Sequence, residues 1–103
     1  MLFKPEHREK ILNRKKTATR RMWKRRMAKV GGIYKCKLAM MKKDYFAKIR
    51  VVSIYEQELK DMSKEDARKE GYDTLEEFKN VWIKINGRWV PDWKPTVIEF
   101  ELV

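Results

Sequence analysis

The chain has 103 residues, 26 of them Lys or Arg against 15 Asp or Glu, for a net charge of +11. That length supports one modest core and excludes two, so a single domain over residues 1–103 is expected. No apolar run approaches the ~18–20 residues of a membrane-spanning helix, MLFKPEHREK has no secretory apolar stretch, and a lone cysteine, Cys36, excludes an internal disulfide.

Those exclusions favour a cytoplasmic protein, read here as monomeric. One Cys and one His (His7) do not make a zinc site, and nothing in the sequence calls for a metal or another cofactor. Richness in Lys, Glu and Arg with little Asn or Gln leans toward a thermophilic source. The charge is uneven. Residues 1–50 hold 18 Lys or Arg against three acids, a balance of +15, whereas residues 51–103 hold eight against twelve, a balance of −4. Such a field suits a polyanionic partner, nucleic acid first. An anionic membrane fits less well, because the basic stretch lacks a clean apolar face.

In chain order, LF predicts a short strand. Pro5 then suits the first helical position with Glu6 in the first turn, and PEHREKILN predicts a short helix with His7 and Ile11 on one face. Nine of the sixteen residues from Arg14 to Lys29 are basic. Residues 14–20 read as loop and 21–29 as a short helix or irregular arm. Gly31 and Gly32 turn the chain into IYKCKLAM, where Tyr34, Cys36, Leu38 and Met40 alternate with lysines, which makes Cys36 a core residue. KKD predicts the next turn. YFAKIRVVSIYEQEL predicts a long strand with Phe46, Val52 and Ile54 on the face of Lys48 and Arg50. Two helices follow, opened by Ser63 with Asp66 and, as the better capping pair, Thr74 with Glu77; Gly71 separates them. Leu75, Phe78, Trp82 and Ile85 recur at helical spacing and predict a buried face. NGRWVPDWKP is a loop. TVIEFELV predicts a closing strand with Ile98, Phe100 and Leu102 inward and Glu99 and Glu101 outward.

Within the basic stretch, ILNRKKTATRR resembles the signature of ASCH domains, a helix ending in a Gly-x-Lys-Thr-x-Thr-x-Arg-like turn. Lys16, Thr17, Thr19 and Arg21 carry the likeness, and EGYDTLEEFKNVW and VIEFELV resemble that family's C-terminal half. The resemblance is to a small stand-alone member of archaeal type. It implies an α+β fold, a PUA-like small β-barrel (a curved mixed sheet) flanked by short helices, and an association with RNA and nucleotide-base chemistry. The family's glycine is replaced by Asn13 or Arg14, of which Asn tolerates a left-handed backbone and Arg does so poorly.

Two functions follow. The first is an RNA-binding module. Thr17 and Thr19 donate to a phosphate or a base edge, Lys16 supplies a point charge, and Arg21 offers a planar fork. Arg14, Lys15 and Arg20 extend that turn. Lys24, Arg25, Arg26 and Lys29 grip phosphates without reading sequence. Trp23, Trp89 and Trp93 are candidates for base stacking; Trp89 and Trp93 serve equally well to close the barrel, while Trp82 belongs to the core. The alternative is an amidohydrolase acting on an N4-acylated cytidine nucleoside. By resemblance it would use Lys16 as base, Thr19 as nucleophile and Glu70 as proton carrier or orienting group. A lysine among cations has a lowered proton affinity, which suits it to act as a base. A Glu on the helix surface is the plainer reading of Glu70.

Overall fold

Pro5 opens the first helix, α1 (Pro5–Leu12), and its missing N–H costs nothing there because the first helical amides have no intrahelical partner. The computed structural model describes residues 1–39 and 43–103; Met40 and the first lysine of KKD lie outside them. After α1 come β1 (Ala18–Arg21), β2 (Ile33–Cys36), β3 (Ala47–Glu56), a 3-10 turn (Leu59–Asp61), α2 (Lys64–Lys69), α3 (Leu75–Asn86) and β4 (Thr96–Leu102).

The strands form one antiparallel sheet in the order β1-β4-β3-β2, so the C-terminal strand is central. The LF segment contributes a parallel bridge, Leu2 to Lys37, beside β2, which gives the curved sheet its mixed character. α1 and the sheet enclose Phe3, Ile11, Cys36, Ile49 and Phe100. A second cluster holds Leu59, Met62, Ala67, Tyr72, Phe78 and Trp82 beneath α2 and α3. His7 and Ile11 are both buried, as their shared face predicts.

Several expectations change. Residues 18–21, read as loop and the start of an arm, are a strand whose Ala18, Thr19, Arg20 and Arg21 pair with Glu99, Ile98, Val97 and Thr96. The arm beyond it, residues 22–30, is irregular and contains no helix. In β3 the inward residues are Ala47, Ile49 and Val51, while Val52 is exposed; Phe46, just before the strand, packs against the first cluster edge-on to Phe3. A register shift between Val51 and Ser53 inserts an extra residue, so the alternation changes phase and Ile54 again packs inward. Ile85 is exposed rather than buried. The capping pairs reverse in rank: Ser63 and Asp66 bond reciprocally at the start of α2, whereas Thr74 accepts from the Glu77 amide with no return bond among the described residues. In β4, Ile98 and Phe100 are buried and Leu102 half-buried, and Val97 on the opposite face is buried too.

Candidate functional site

The chain leaves α1 through Asn13 and Arg14. It is Arg14 that takes the left-handed conformation (φ +64°), not Asn13, whose φ is −91°. The turn is tied at both ends. The Arg14 amide donates to the Ile11 carbonyl, the Lys16 amide to Lys10 (2.8 Å) and the Thr17 amide to Lys69 (2.7 Å), before β1 joins β4. These bonds over-determine the strained residue and rotate Lys16 inward.

Lys16 is 2% exposed, and its Nζ lies 3.1 Å from Glu70 Oε1 and 3.3 Å from the Glu70 carbonyl. Glu70 caps the C-terminus of α2 and is itself buried, which overturns its reading as a helix-surface residue. Gly71 follows with φ +97°; a Cβ there would stand 3.3 Å from Lys16 Cβ and 3.0 Å from Lys10 Cδ. Glycine therefore serves both the turn and the close approach of the two segments. The other Glu70 oxygen, Oε2, accepts from Arg20 Nη1 at 2.9 Å. Arg20 Nη2 donates to Gln57 Oε1 and stands 4.0 Å from Asp66.

These groups border a cavity of about 180 Å³ where the two apolar clusters meet. Lys16, Thr19, Arg20, Arg21 and Glu70 form its polar side, and His7, Tyr72, Phe3, Phe78 and Trp82 are among the remaining walls. That is smaller than the ~300–1,000 Å³ typical of pockets enclosing drug-sized ligands, so it accommodates a small ligand or one end of a larger one. Burial lowers the proton affinity of Lys16; Glu70 opposes this, while Arg21 and Arg20 add to it. Burial, then the charges of Lys16 and Lys10, press His7 down to about 3. Burial, then Glu70, push Tyr72 up to about 12. His7 Nε2 and the Tyr72 hydroxyl, 2.7 Å apart, are thus a neutral hydrogen-bonded pair near pH 7. Arg20 Nε, Arg21 Nε and Trp82 Nε1, all on lining residues, are buried donors with no acceptor among the described residues. Leaving such a donor unmatched costs about 1–3 kcal/mol, so these walls favour an acceptor-bearing ligand.

The predicted residues separate into groups. Lys16, Thr19 and Glu70 share the cavity, and Arg21 joins them, its Nη2 donating to the Leu2 carbonyl at 2.6 Å and its guanidinium lying 4.9 Å from the Phe3 ring centre. Among the described residues Thr19 has no side-chain bond to Lys16 or Glu70. Arg20, expected to face nucleic acid, is sealed inside by Glu70 and Gln57. Thr17 borders a different cavity with Ile11 and Phe100. Arg14 and Lys15 are exposed, Lys15 standing 3.8 Å from Asp73. Trp23, Lys24, Arg25 and Arg26 border a separate cleft of about 280 Å³ with Tyr55 and Lys94. Lys29 is exposed outside that cleft, its amide bonded to the Tyr34 hydroxyl. Trp89 packs edge-on against Phe78 and Trp82, and Trp93 joins the same cluster, so both close the core. Trp82 is core as predicted and also a cavity wall. Burial pushes the Cys36 thiol up to about 11, which fits its place in the core. Sequence reasoning missed Tyr72, His7 and Gln57 as site residues. Tyr72 had one available signal, its place directly after Glu70 and Gly71.

The sequence matches the ASCH domain family over residues 1–103. The chain belongs to the ASCH domain family. Two solved structures share the fold. One is the ASCH domain from Lactobacillus crispatus (TM-score 0.65, 15% identity), with 92% of this chain and 69% of that one covered. The other is an Enterococcus faecalis protein (TM-score 0.67, 20% identity), with 95% and 67% covered. No curated protein matches the sequence. This ASCH domain thus has the PUA-like α+β architecture of a family associated with RNA. No helix among its described residues is long and apolar enough to cross a membrane, and no group of three or more His, Cys, Asp or Glu among them is placed to hold a metal ion.

Proposed function

We propose that the cavity binds an N4-acylated cytidine nucleoside and hydrolyses its amide. The observation that carries this reading is the convergence of Lys16, Thr19 and Glu70, from two distant parts of the chain, on one small cavity. Lys16 Nζ takes the Thr19 hydroxyl proton as Thr19 Oγ1 attacks the acyl carbonyl. The unmatched N–H donors and Arg21 face the charge that develops on the carbonyl oxygen. The C–N bond breaks, and the departing amine receives the proton from Lys16. Water then attacks the threonine ester, the acid leaves, and Thr19 regains its proton. Glu70 holds Lys16 in place through two acceptors, one of them its own carbonyl. The test is incubation with N4-acetylcytidine, following cytidine by chromatography. Turnover is expected, and it should vanish in Lys16→Ala, Thr19→Ala and Glu70→Ala. No turnover on this and related acylated nucleosides by a folded protein would sink the reading.

A second reading, an RNA-binding module, is favoured by a different observation: the cationic cleft. Lys24, Arg25, Arg26 and Lys94 border it with the flat rings of Trp23 and Tyr55, a combination suited to phosphates and an unpaired base. Exposed Arg14, Lys15 and Lys29 extend the positive surface, and the Lys-Thr-x-Thr-x-Arg segment supplies the inner groups, Lys16 before β1 and Thr19 and Arg21 within it. Thr17 and Arg20 contribute no phosphate contact here, because one faces another cavity and the other is enclosed.

A further inference from the structure

We propose that Arg20, at a position the Lys-Thr-x-Thr-x-Arg pattern leaves open, is a positioning residue that divides the Glu70 carboxylate between two cations and thereby frees Lys16 to give up its proton. The consequence for turnover rests on the amidohydrolase reading above; the charge sharing does not.

Each Glu70 oxygen has its own cation: Lys16 Nζ at 3.1 Å on Oε1 and Arg20 Nη1 at 2.9 Å on Oε2. The side chains of all three are at most 4% exposed, so water screens little of their interaction. A lone buried Lys–Glu pair would hold its proton on the lysine, because losing it would strand the carboxylate. Arg20 removes that constraint. Its guanidinium carries a fixed charge, so Glu70 and Arg20 neutralise each other, and the proton on Lys16 becomes excess charge in an enclosed site. Losing it leaves the set neutral. The planar fork also lets Arg20 hold Glu70 and Gln57 together, which fixes the carboxylate while its other oxygen serves Lys16. Asp66 stands 4.0 Å from Arg20 on the outer side and has its own bonds at the cap of α2.

Other charged or titratable groups also face Lys16. From α1 comes His7, from β1 Arg21, and from the segment after α2 Tyr72, whose ring carries the Lys10 ammonium at 3.9 Å, while Arg14 and Glu101 border a neighbouring cavity and Glu101 is paired with Arg50 at 3.1 Å. Arg20 is distinguished from them by direct hydrogen bonding to the same carboxylate as Lys16.

The experiment is a pH titration of the full chain carrying ¹³Cε-labelled lysine, with Lys16 assigned by its absence in Lys16→Met. Arg20→Gln keeps a hydrogen-bond donor and removes the charge. The Lys16 midpoint should rise by about one pH unit or more, a tenfold gain in proton affinity, whereas Arg20→Lys should keep it within about half a unit. An unmoved midpoint in Arg20→Gln, or an equal rise in both variants, would overturn the proposal. If Arg20→Gln does not fold, the wild-type chain decides: Arg20 guanidinium ¹⁵N resonances must change with the same midpoint as Lys16, and independence would overturn it. With N4-acetylcytidine, the acidic limb of the kcat/KM profile should follow the same shift. A chain without turnover would end the amidohydrolase reading and leave the charge sharing to be judged by the resonances alone.

Discussion

Glu70 is the residue on which two buried cations depend, and that asymmetry has a measurable consequence. Lys16→Met leaves Glu70 paired with Arg20, whereas Glu70→Gln leaves Lys16 and Arg20 without their common anion. Breaking a buried pair so as to strand a charge costs about 3–5 kcal/mol. Glu70→Gln should therefore cost that much in urea unfolding and Lys16→Met clearly less; equal losses would contradict this arrangement. His7 supplies a pH dependence. Its folded value of about 3 lies below the ordinary histidine value, so the unfolded chain binds one more proton in the interval between them. The stability due to neutral His7 is present above about pH 6.5 and is lost as pH falls from there toward 3, with a slope of about 1.4 kcal/mol per pH unit. Unfolding midpoints across that interval should fall less steeply in His7→Gln than in the native chain. Lys16 and Thr19 were legible because the motif places them on one turn. Glu70 entered only through the family resemblance, and His7 through helical spacing alone, since neither signal says what lies opposite in space.

At the scale of elements, three left-handed residues separate strain from crowding. Gly71 and Gly87 both have φ near +90°, but a Cβ at 87 meets open space and one at 71 meets Lys10 and Lys16. Gly87→Ala should cost about 1–2 kcal/mol from the backbone alone, and Gly71→Ala more, with weakened turnover or ligand binding because Lys16 must shift. Arg14 holds a left-handed φ without being glycine, so Arg14→Gly should stabilise the fold by up to about 1 kcal/mol. Chemical denaturation with an unchanged m-value would check all three. Both late helices were legible because capping residues and apolar spacing are local signals. β1 was not legible: ATRR has no apolar alternation of its own, and only pairing with β4, almost eighty residues later, makes it a strand. The bulge in β3 likewise concealed its inward face until its partner strand fixed the register.

For the whole molecule, the uneven charge sets an expectation about polyanions. If about five phosphates of a single-stranded RNA are neutralised, affinity should fall about a hundredfold between roughly 50 and 200 mM salt. Arg25→Ala with Arg26→Ala, at the cleft, should flatten the slope of log affinity against log salt by about 1.4, whereas Thr19→Val, in the cavity, should leave the slope unchanged. A flat salt response in the native chain would remove the electrostatic account of RNA binding.

The sequence by itself determined the charge asymmetry, the α+β class and the helices with their caps, and its family resemblance made Lys16, Thr19 and Glu70 candidates. Those features rest on composition, short-range spacing and a local motif, and each is encoded within a few residues. Only the tertiary structure decided that Arg20 turns inward while Arg25 and Arg26 face a cleft, that Trp89 and Trp93 close the core, and that His7 and Tyr72 stand with Lys16 and Glu70. A basic residue reads the same in sequence whether it meets solvent or a carboxylate fifty positions away. Its partner is chosen by which strands pair and where each helix ends, through long-range packing that local spacing does not encode.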